Sequence, residues 1–305
     1  MINIIGVKIV FENIIGNDKI KKILINSIKT NKVSHSYMFV GIEGIGKKLI
    51  AKEFAKMILC LNEDKYCNKC KSCIEFDSNN NPDFFLIEPE GNSIKIEQIR
   101  EIQKKVAENP IISNKKVYII NDSDKMTKEA QNCLLKTLEE PPEYITIILI
   151  GQNENSFLET IKSRCMILHF EKIENDIIRT FLKENYQVDN LDEDLLDTFQ
   201  GSIGKAINLK DKENIYLKIK ELLNFAKKCS IIEFMKKAQI IYEHKENIFE
   251  ILENINLILV KFIHQDINYA NCIQIVEETK KRLNSNSNFD MCIDNMILNM
   301  WEELN

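Results

Sequence analysis

Along the first 170 positions, apolar residues gather into short runs. These are Met38-Phe39-Val40, Phe84-Phe85-Leu86-Ile87, Val117-Tyr118-Ile119-Ile120, Ile145-Thr146-Ile147-Ile148-Leu149-Ile150 and Met166-Ile167-Leu168. Runs with no polar face predict strands buried on both sides. Between most of them the period becomes helical, as in Ile20/Ile23/Leu24/Ile28, Leu49/Ile50/Phe54/Met57/Ile58, Ile96/Ile99/Ile102/Val106 and Ala130/Leu134/Leu138. Pro141-Pro142 stops the last of these, since proline offers no N–H to the helix ladder. Strands alternating with helices predict one parallel sheet covered on both faces. Beyond about residue 171 the strand pattern ceases. Residues 171–210 carry short helical patterns ending in Gly201-Ser202-Ile203-Gly204-Lys205-Ala206, and 211–305 is helical in period throughout, as in Ile248/Ile251/Leu252/Ile255/Leu259/Phe262. An α/β domain over 1–170, a small helical domain over 171–210 and a larger one over 211–305 are expected, with no internal repeat.

The first strand runs into Gly41-Ile42-Glu43-Gly44-Ile45-Gly46-Lys47-Lys48, which has the G-x-x-x-x-G-K spacing of a phosphate-binding loop. Gly41, Gly44 and Gly46 let backbone N–H groups close around phosphate oxygens, the following helix aims its positive end there, and Lys47 adds a charge. Lys48 stands where that motif places the Ser or Thr hydroxyl that binds Mg²⁺. A second departure lies at the end of the run 117–120, where a P-loop ATPase carries a metal-binding Asp and then a Glu. This chain has Asn121-Asp122-Ser123-Asp124. Asp122 or Asp124 could substitute; the simpler reading is a polar strand end that caps the next helix. An ammonium where a hydroxyl belongs and an amide where a carboxylate belongs both weaken metal-assisted phosphoryl transfer.

Composition narrows the class. The chain has 305 residues, 44% hydrophobic and 29% charged, with a net charge of −5, and a pI near 5.6. That balance is ordinary for a globular protein and gives no overall attraction to nucleic acid. The start, Met1-Ile2-Asn3-Ile4-Ile5-Gly6-Val7-Lys8, lacks the layout of a secretory signal, and no apolar run approaches the ~18 residues of a membrane span. A cytoplasmic location is expected, in which the nine cysteines are thiols or metal ligands.

Four of these cysteines form Cys60-x6-Cys67-x2-Cys70-x2-Cys73. Four thiolates at such spacing can enclose one tetrahedral Zn²⁺ and leave no position for water, so the site reads as structural. A ferredoxin-type cluster would want another Cys three residues on, where Asp77 stands; unligated thiols or a redox role are the other readings. Cys133, Cys165, Cys229, Cys272 and Cys292 are isolated and read as small buried residues.

With these residues in view, the chain resembles the AAA+ clamp loaders of bacterial DNA polymerase III, and among them the δ′ subunits. The resemblance covers at least residues 11–210. It rests on His35-Ser36-Tyr37, the four cysteines, Asn81-Pro82-Asp83-Phe84, the stretch Ala130-Gln131-Asn132-Cys133-Leu134-Leu135-Lys136-Thr137-Leu138-Glu139-Glu140-Pro141-Pro142, and Thr160-Ile161-Lys162-Ser163-Arg164-Cys165. The last 95 or so residues match only in length and helical character. It implies an AAA+ P-loop core with a five-stranded parallel sheet and a zinc-binding insertion, a helical lid, and an all-α collar. Through the collar the subunit would join γ/τ and δ subunits in a pentameric ring that acts on the sliding clamp and primer-template DNA. It further implies a non-catalytic stator, with little or no use of ATP or ADP at its own loop, that offers Arg164 as an arginine finger to a neighbouring ATPase. Two positions depart from the motor subunits' pattern: the polar residue expected after the fourth strand falls near Gly151-Gln152, and the lid motif carries Lys205. Two further readings stand beside this one. A γ/τ-like ATPase would want a hydroxyl and an acid at positions 48 and 121 and a chain that usually runs longer; a zinc-dependent DNA-binding module would want a basic surface.

Overall fold

A computed structural model describes residues 10–63, 65–186, 193–207, 209–264, 266–285 and 287–305. The start Met1–Lys8, read above for a signal, lies outside them. The chain divides into two compact units, the first reaching Thr180 and taking in Gly201–Gly204, the second comprising Phe181–Gln200 and Lys205–Asn305.

In the first unit every apolar run becomes a strand: β1 (Ser36–Val40), β2 (Phe84–Ile87), β3 (Lys116–Ile120), β4 (Ile145–Gly151) and β5 (Met166–His169). All pair in parallel, in the order β2-β3-β4-β1-β5. The three central strands are buried along their whole length. The edge strands β2 and β5 are only partly covered. Having a neighbour on one side only, they leave residues such as Met166 in solvent.

Helices α1 (Asp18–Lys29), α2 (Lys47–Leu59), α3 (Lys71–Asp77), α4 (Ile96–Val106), α5 (Lys128–Glu139) and α6 (Glu159–Lys162) connect and cover the sheet. Ile99, Ile102 and Val106 of α4 and Ala130, Leu134 and Leu138 of α5 pack with Tyr118, Ile120, Ile147 and Leu149 into one apolar cluster. Tyr37, on the alternate face of β1, meets Phe54 of α2 edge-on at 5.2 Å between ring centres. Both faces of the three central strands are therefore dry, as their unbroken apolar runs require. Two residues leave their expected stripes. Ile23 and Leu49 are 40% and 57% exposed, because each sits one residue, or about 100° of helix, outside the arc held by Leu24 or by Ile50 and Phe54. Asn121-Asp122-Ser123-Asp124 does not cap the next helix either. A 3₁₀ turn over Ser123–Lys125 intervenes, and Thr127 caps α5 by accepting the Ala130 N–H at 3.2 Å.

Helices α7 (Asn175–Tyr186), α8 (Glu193–Thr198) and α9 (Ile203–Ile207) follow, then α10 (Leu209–Phe225), α11 (Ile231–Lys237), α12 (Gln239–Glu243), α13 (Ile248–Phe262), α14 (Asn268–Asn284) and α15 (Phe289–Leu304). The second unit has no strand among the described residues. The stripe Ile248/Ile251/Leu252/Ile255/Leu259/Phe262 is buried as expected. Of the isolated cysteines, Cys272 and Cys292 are buried and the other three half-buried. No helix of the described residues is long and apolar enough to cross a membrane.

Candidate functional site

The phosphate-binding loop lies at the carboxyl end of β1, between strand and helix, where parallel sheets place nucleotide sites. Its shape is complete. Gly44 and Gly46 have φ of +72° and +95°, a region that side chains disfavour. The Gly44 carbonyl accepts the Gly204 N–H at 2.8 Å. A Cβ on Gly204 would stand 2.7 Å from Gly44 Cα, so the two backbones meet at a distance only glycine permits. Lys47 is buried, and its ammonium donates to Gly41 O at 2.6 Å and Ile42 O at 2.7 Å. Burial pushes that ammonium below the ordinary lysine range, against the opposing pull of the Asp124, Asp122 and Glu43 carboxylates.

Beside the loop, Lys48 Nζ lies 2.8 Å from Glu88 Oε1. Asn121 Nδ2 approaches the same oxygen at 3.5 Å. The two positions at which the motif departs are thus drawn together on a carboxylate from beyond β2, and an ammonium occupies the corner next to Asn121. Asp122 pairs with Lys125 at 3.3 Å. Asp124 accepts the Gln152 N–H at 3.1 Å, tying the ends of β3 and β4.

The four cysteines converge between α2 and α3. Their sulfurs all lie within 4.8 Å of one another, with Cys60–Cys67 at 3.6 Å and Cys60–Cys70 and Cys67–Cys73 at 4.0 Å. A tetrahedron of metal–sulfur bonds near 2.3 Å has sulfur–sulfur edges of about 3.8 Å, so the cluster fits one ion. The Cys67 thiol is held down to about 6 by the backbone N–H groups of Lys69 and Cys70, whereas burial pushes Cys60 and Cys73 up. A buried polar relay fastens the module to the sheet. The Asp83 carboxylate, fully buried, accepts the N–H groups of Ile111, Ile112 and Ser113 at 2.7–2.8 Å. Ser113 Oγ reaches Leu59 O at 2.8 Å and Ser72 Oγ at 2.9 Å, and Asn81 Nδ2 donates to Ser72 O at 2.9 Å. On the other side Lys56 pairs with Asp77 at 2.7 Å.

Arg164 is found elsewhere. It follows α6 at the amino end of β5, and its carbonyl accepts the hydroxyl of Ser36 at the start of β1. The phosphate loop begins at the far end of β1, after Val40, roughly 13 Å away at ~3.3 Å per residue. Lys205 Nζ lies 3.4 Å from Gln200 Oε1.

Residue patterns do not single out Glu88, and they give Gly204 as part of the lid motif without its partner Gly44. Nothing local marks Glu88 as the partner of Lys48, but a glycine inside the short helix α9 costs about 1 kcal/mol relative to Ala and is itself a signal of close packing.

Comparison with known proteins agrees with the geometry. The family described as DNA polymerase III, delta subunit, matches residues 16–174, just over half of the 305-residue chain. DNA polymerase III subunit delta' of Bacillus subtilis is 29% identical over 316 aligned residues, covering 93% of this chain and 96% of that one. Subunit gamma/tau of Mycoplasma pneumoniae is 37% identical over 210 residues, covering 66% of this chain but 30% of its own length. A gamma subunit-related protein of Thermotoga maritima superimposes with a TM-score of 0.51 at 19% identity over 92% of this chain and all of that one, a likeness of fold. With the AAA+ sheet and the cysteine cluster in place, the chain belongs to the DNA polymerase III delta-subunit family and is a clamp-loader subunit of that polymerase.

Proposed function

We propose that the chain is the δ′-type stator of the clamp loader, without ATP turnover of its own, and that it supplies Arg164 to an ATP site on a neighbouring γ/τ-type subunit. The observation that carries this reading is the Lys48 ammonium seated on Glu88 beside Asn121. A divalent cation there would meet a positive charge and an amide in place of a hydroxyl and a carboxylate, and phosphoryl transfer in P-loop enzymes depends on that cation. The separation of Arg164 from its own loop supports the second half: a phosphate within its reach belongs to another molecule. A guanidinium in trans stabilises charge developing on a transferred phosphoryl group.

In this reading residues 1–170 form the core, 171–210 the lid, and 211–305 the collar that joins γ/τ and δ subunits in a five-membered ring. Contact with the sliding clamp and primer-template DNA comes through the assembly. The four cysteines hold one structural Zn²⁺, whose coordination by four thiolates leaves no site for chemistry. The alternative is a γ/τ-like ATPase, favoured by the 37% identity to a gamma/tau subunit. ATP turnover by the purified chain decides between them. No Mg²⁺-dependent hydrolysis above background is expected, and robust hydrolysis would establish the ATPase instead.

A further inference from the structure

Three of the stretches on which the clamp-loader resemblance rests meet at one residue, Arg164, two of them at its side chain and the third at its backbone carbonyl. Arg164 Nη2 lies 2.9 Å from Glu139 Oε1, at the end of α5. Its Nη1 donates to Thr160 O at 2.8 Å and approaches Ser163 Oγ at 3.4 Å. The backbone is held as well: the Arg164 N–H donates to Ile161 O at 3.0 Å, and the carbonyl accepts the hydroxyl of Ser36, itself 4% exposed. The side chain remains 34% exposed. A guanidinium carries five N–H groups, so its outward side keeps donors beyond those engaged here.

We propose that Glu139 is a positioning residue for Arg164. The carboxylate pins one end of the guanidinium, Thr160 O the other, and Ser36 the backbone beneath, so the exposed edge is set in advance for the terminal phosphate of a nucleoside triphosphate bound by another chain. This rests on the arginine-finger reading above. The physical gain is preorganisation. A long, freely rotating arginine must be ordered at the moment of reaction, whereas one already fixed needs no reorganisation as charge develops. Glu139 also acts in the opposite sense, because a carboxylate beside the guanidinium offsets part of its charge. The two effects predict opposite changes on its removal, and the proposal is that positioning prevails.

The test is steady-state ATP hydrolysis by the complete loader, reconstituted with its ATP-hydrolysing subunits and primed DNA, comparing R164A, E139Q, E139D, S36A and the double variant R164A/E139Q. R164A is expected to lower kcat severalfold while the complex still assembles. E139Q is expected to lower kcat about fivefold, inside the hundredfold that an ångström of misplacement can cost, with KM within about twofold because ground-state binding is untouched. E139D should recover most of the loss, S36A should lower kcat in the same direction, and the double variant should be no slower than R164A. Unchanged kcat in R164A removes the finger and this inference together. A normal loss in R164A with unchanged or faster E139Q overturns the positioning role alone. Additive losses in the double variant overturn it too, since Glu139 would then act by another route. Should E139Q fail to assemble, S36A and E139D carry the decision on the same readouts.

Discussion

The cysteine module and the phosphate loop both fold into the geometry that their residue spacing announces, yet their donor groups end in opposite states. In the module four sulfurs converge within 4.8 Å of one another and point at a common centre that one ion fits. In the loop the ammonium of Lys47 is turned onto the loop's own carbonyls and that of Lys48 is paired with Glu88. Spacing therefore specifies backbone shape in both places, while readiness for a ligand depends on which partners the rest of the fold brings to the donors. The same lesson governs the support beneath each. The module is braced by Asp83, Ser113, Ser72 and Asn81, and the loop by the close backbone contact of Gly44 with Gly204.

The largest effect expected from disturbing this contrast is loss of the metal. Cys73→Ser should abolish stoichiometric metal in mass spectrometry and lower the unfolding free energy by roughly 5 kcal/mol, part of the ~10–16 kcal/mol that structural zinc contributes in small peptides. An unchanged denaturation midpoint would show the module to be ornamental to the fold. Next comes Asp83→Asn. Its amide would turn an N–H toward three backbone donors, at about 3 kcal/mol for a buried network broken at one member. The midpoint and the chelator concentration needed to strip metal should fall together; a fall in the first alone would separate the brace from the metal site.

A smaller effect is expected at the loop. Gly204→Ala forces a methyl to within 2.7 Å of Gly44 Cα, and overpacking of this kind costs about 1–3 kcal/mol. Thermal melts measure it, and wild-type stability would mean that the two backbones part readily. The least change in stability belongs to the double substitution Lys48→Thr with Asn121→Asp. The pair it breaks is partly exposed, with side chains 39% and 50% accessible, and such pairs contribute about 0–1 kcal/mol. Calorimetric titration should then reveal Mg²⁺-dependent nucleotide binding absent from the parent. If binding appears, the side chains at 48 and 121 alone separate the loop from a working one; if none appears, those two side chains do not account for the difference.

Much of the fold was legible from residue patterns. Five apolar runs gave five strands, and helix stripes such as Ile99/Ile102/Val106 and Ala130/Leu134/Leu138 became buried faces, because burial of a strand or helix face is written in local periodicity. Leu49 and Ile23 show the limit: an apolar residue at the edge of a stripe is assigned to core or solvent by what lies across from it. Asp122-Ser123-Asp124 shows another, since a polar strand end followed by a helix looks like a cap until the intervening 3₁₀ turn is seen.

By itself the sequence determined the strands and helices of the core, the convergence of Cys60, Cys67, Cys70 and Cys73, and the backbone course of Gly41–Lys47. All are local, set by spacings of a few residues. Only the tertiary structure decided that Lys48 meets Glu88, that Gly44 meets Gly204, and that Arg164 is gripped by Glu139 and Ser36 at the opposite end of β1 from the loop. Those partners come from distant parts of the chain. Hydrophobic periodicity fixes which face of an element is buried, but it carries no record of which polar side chain the crossing of strands will set beside it.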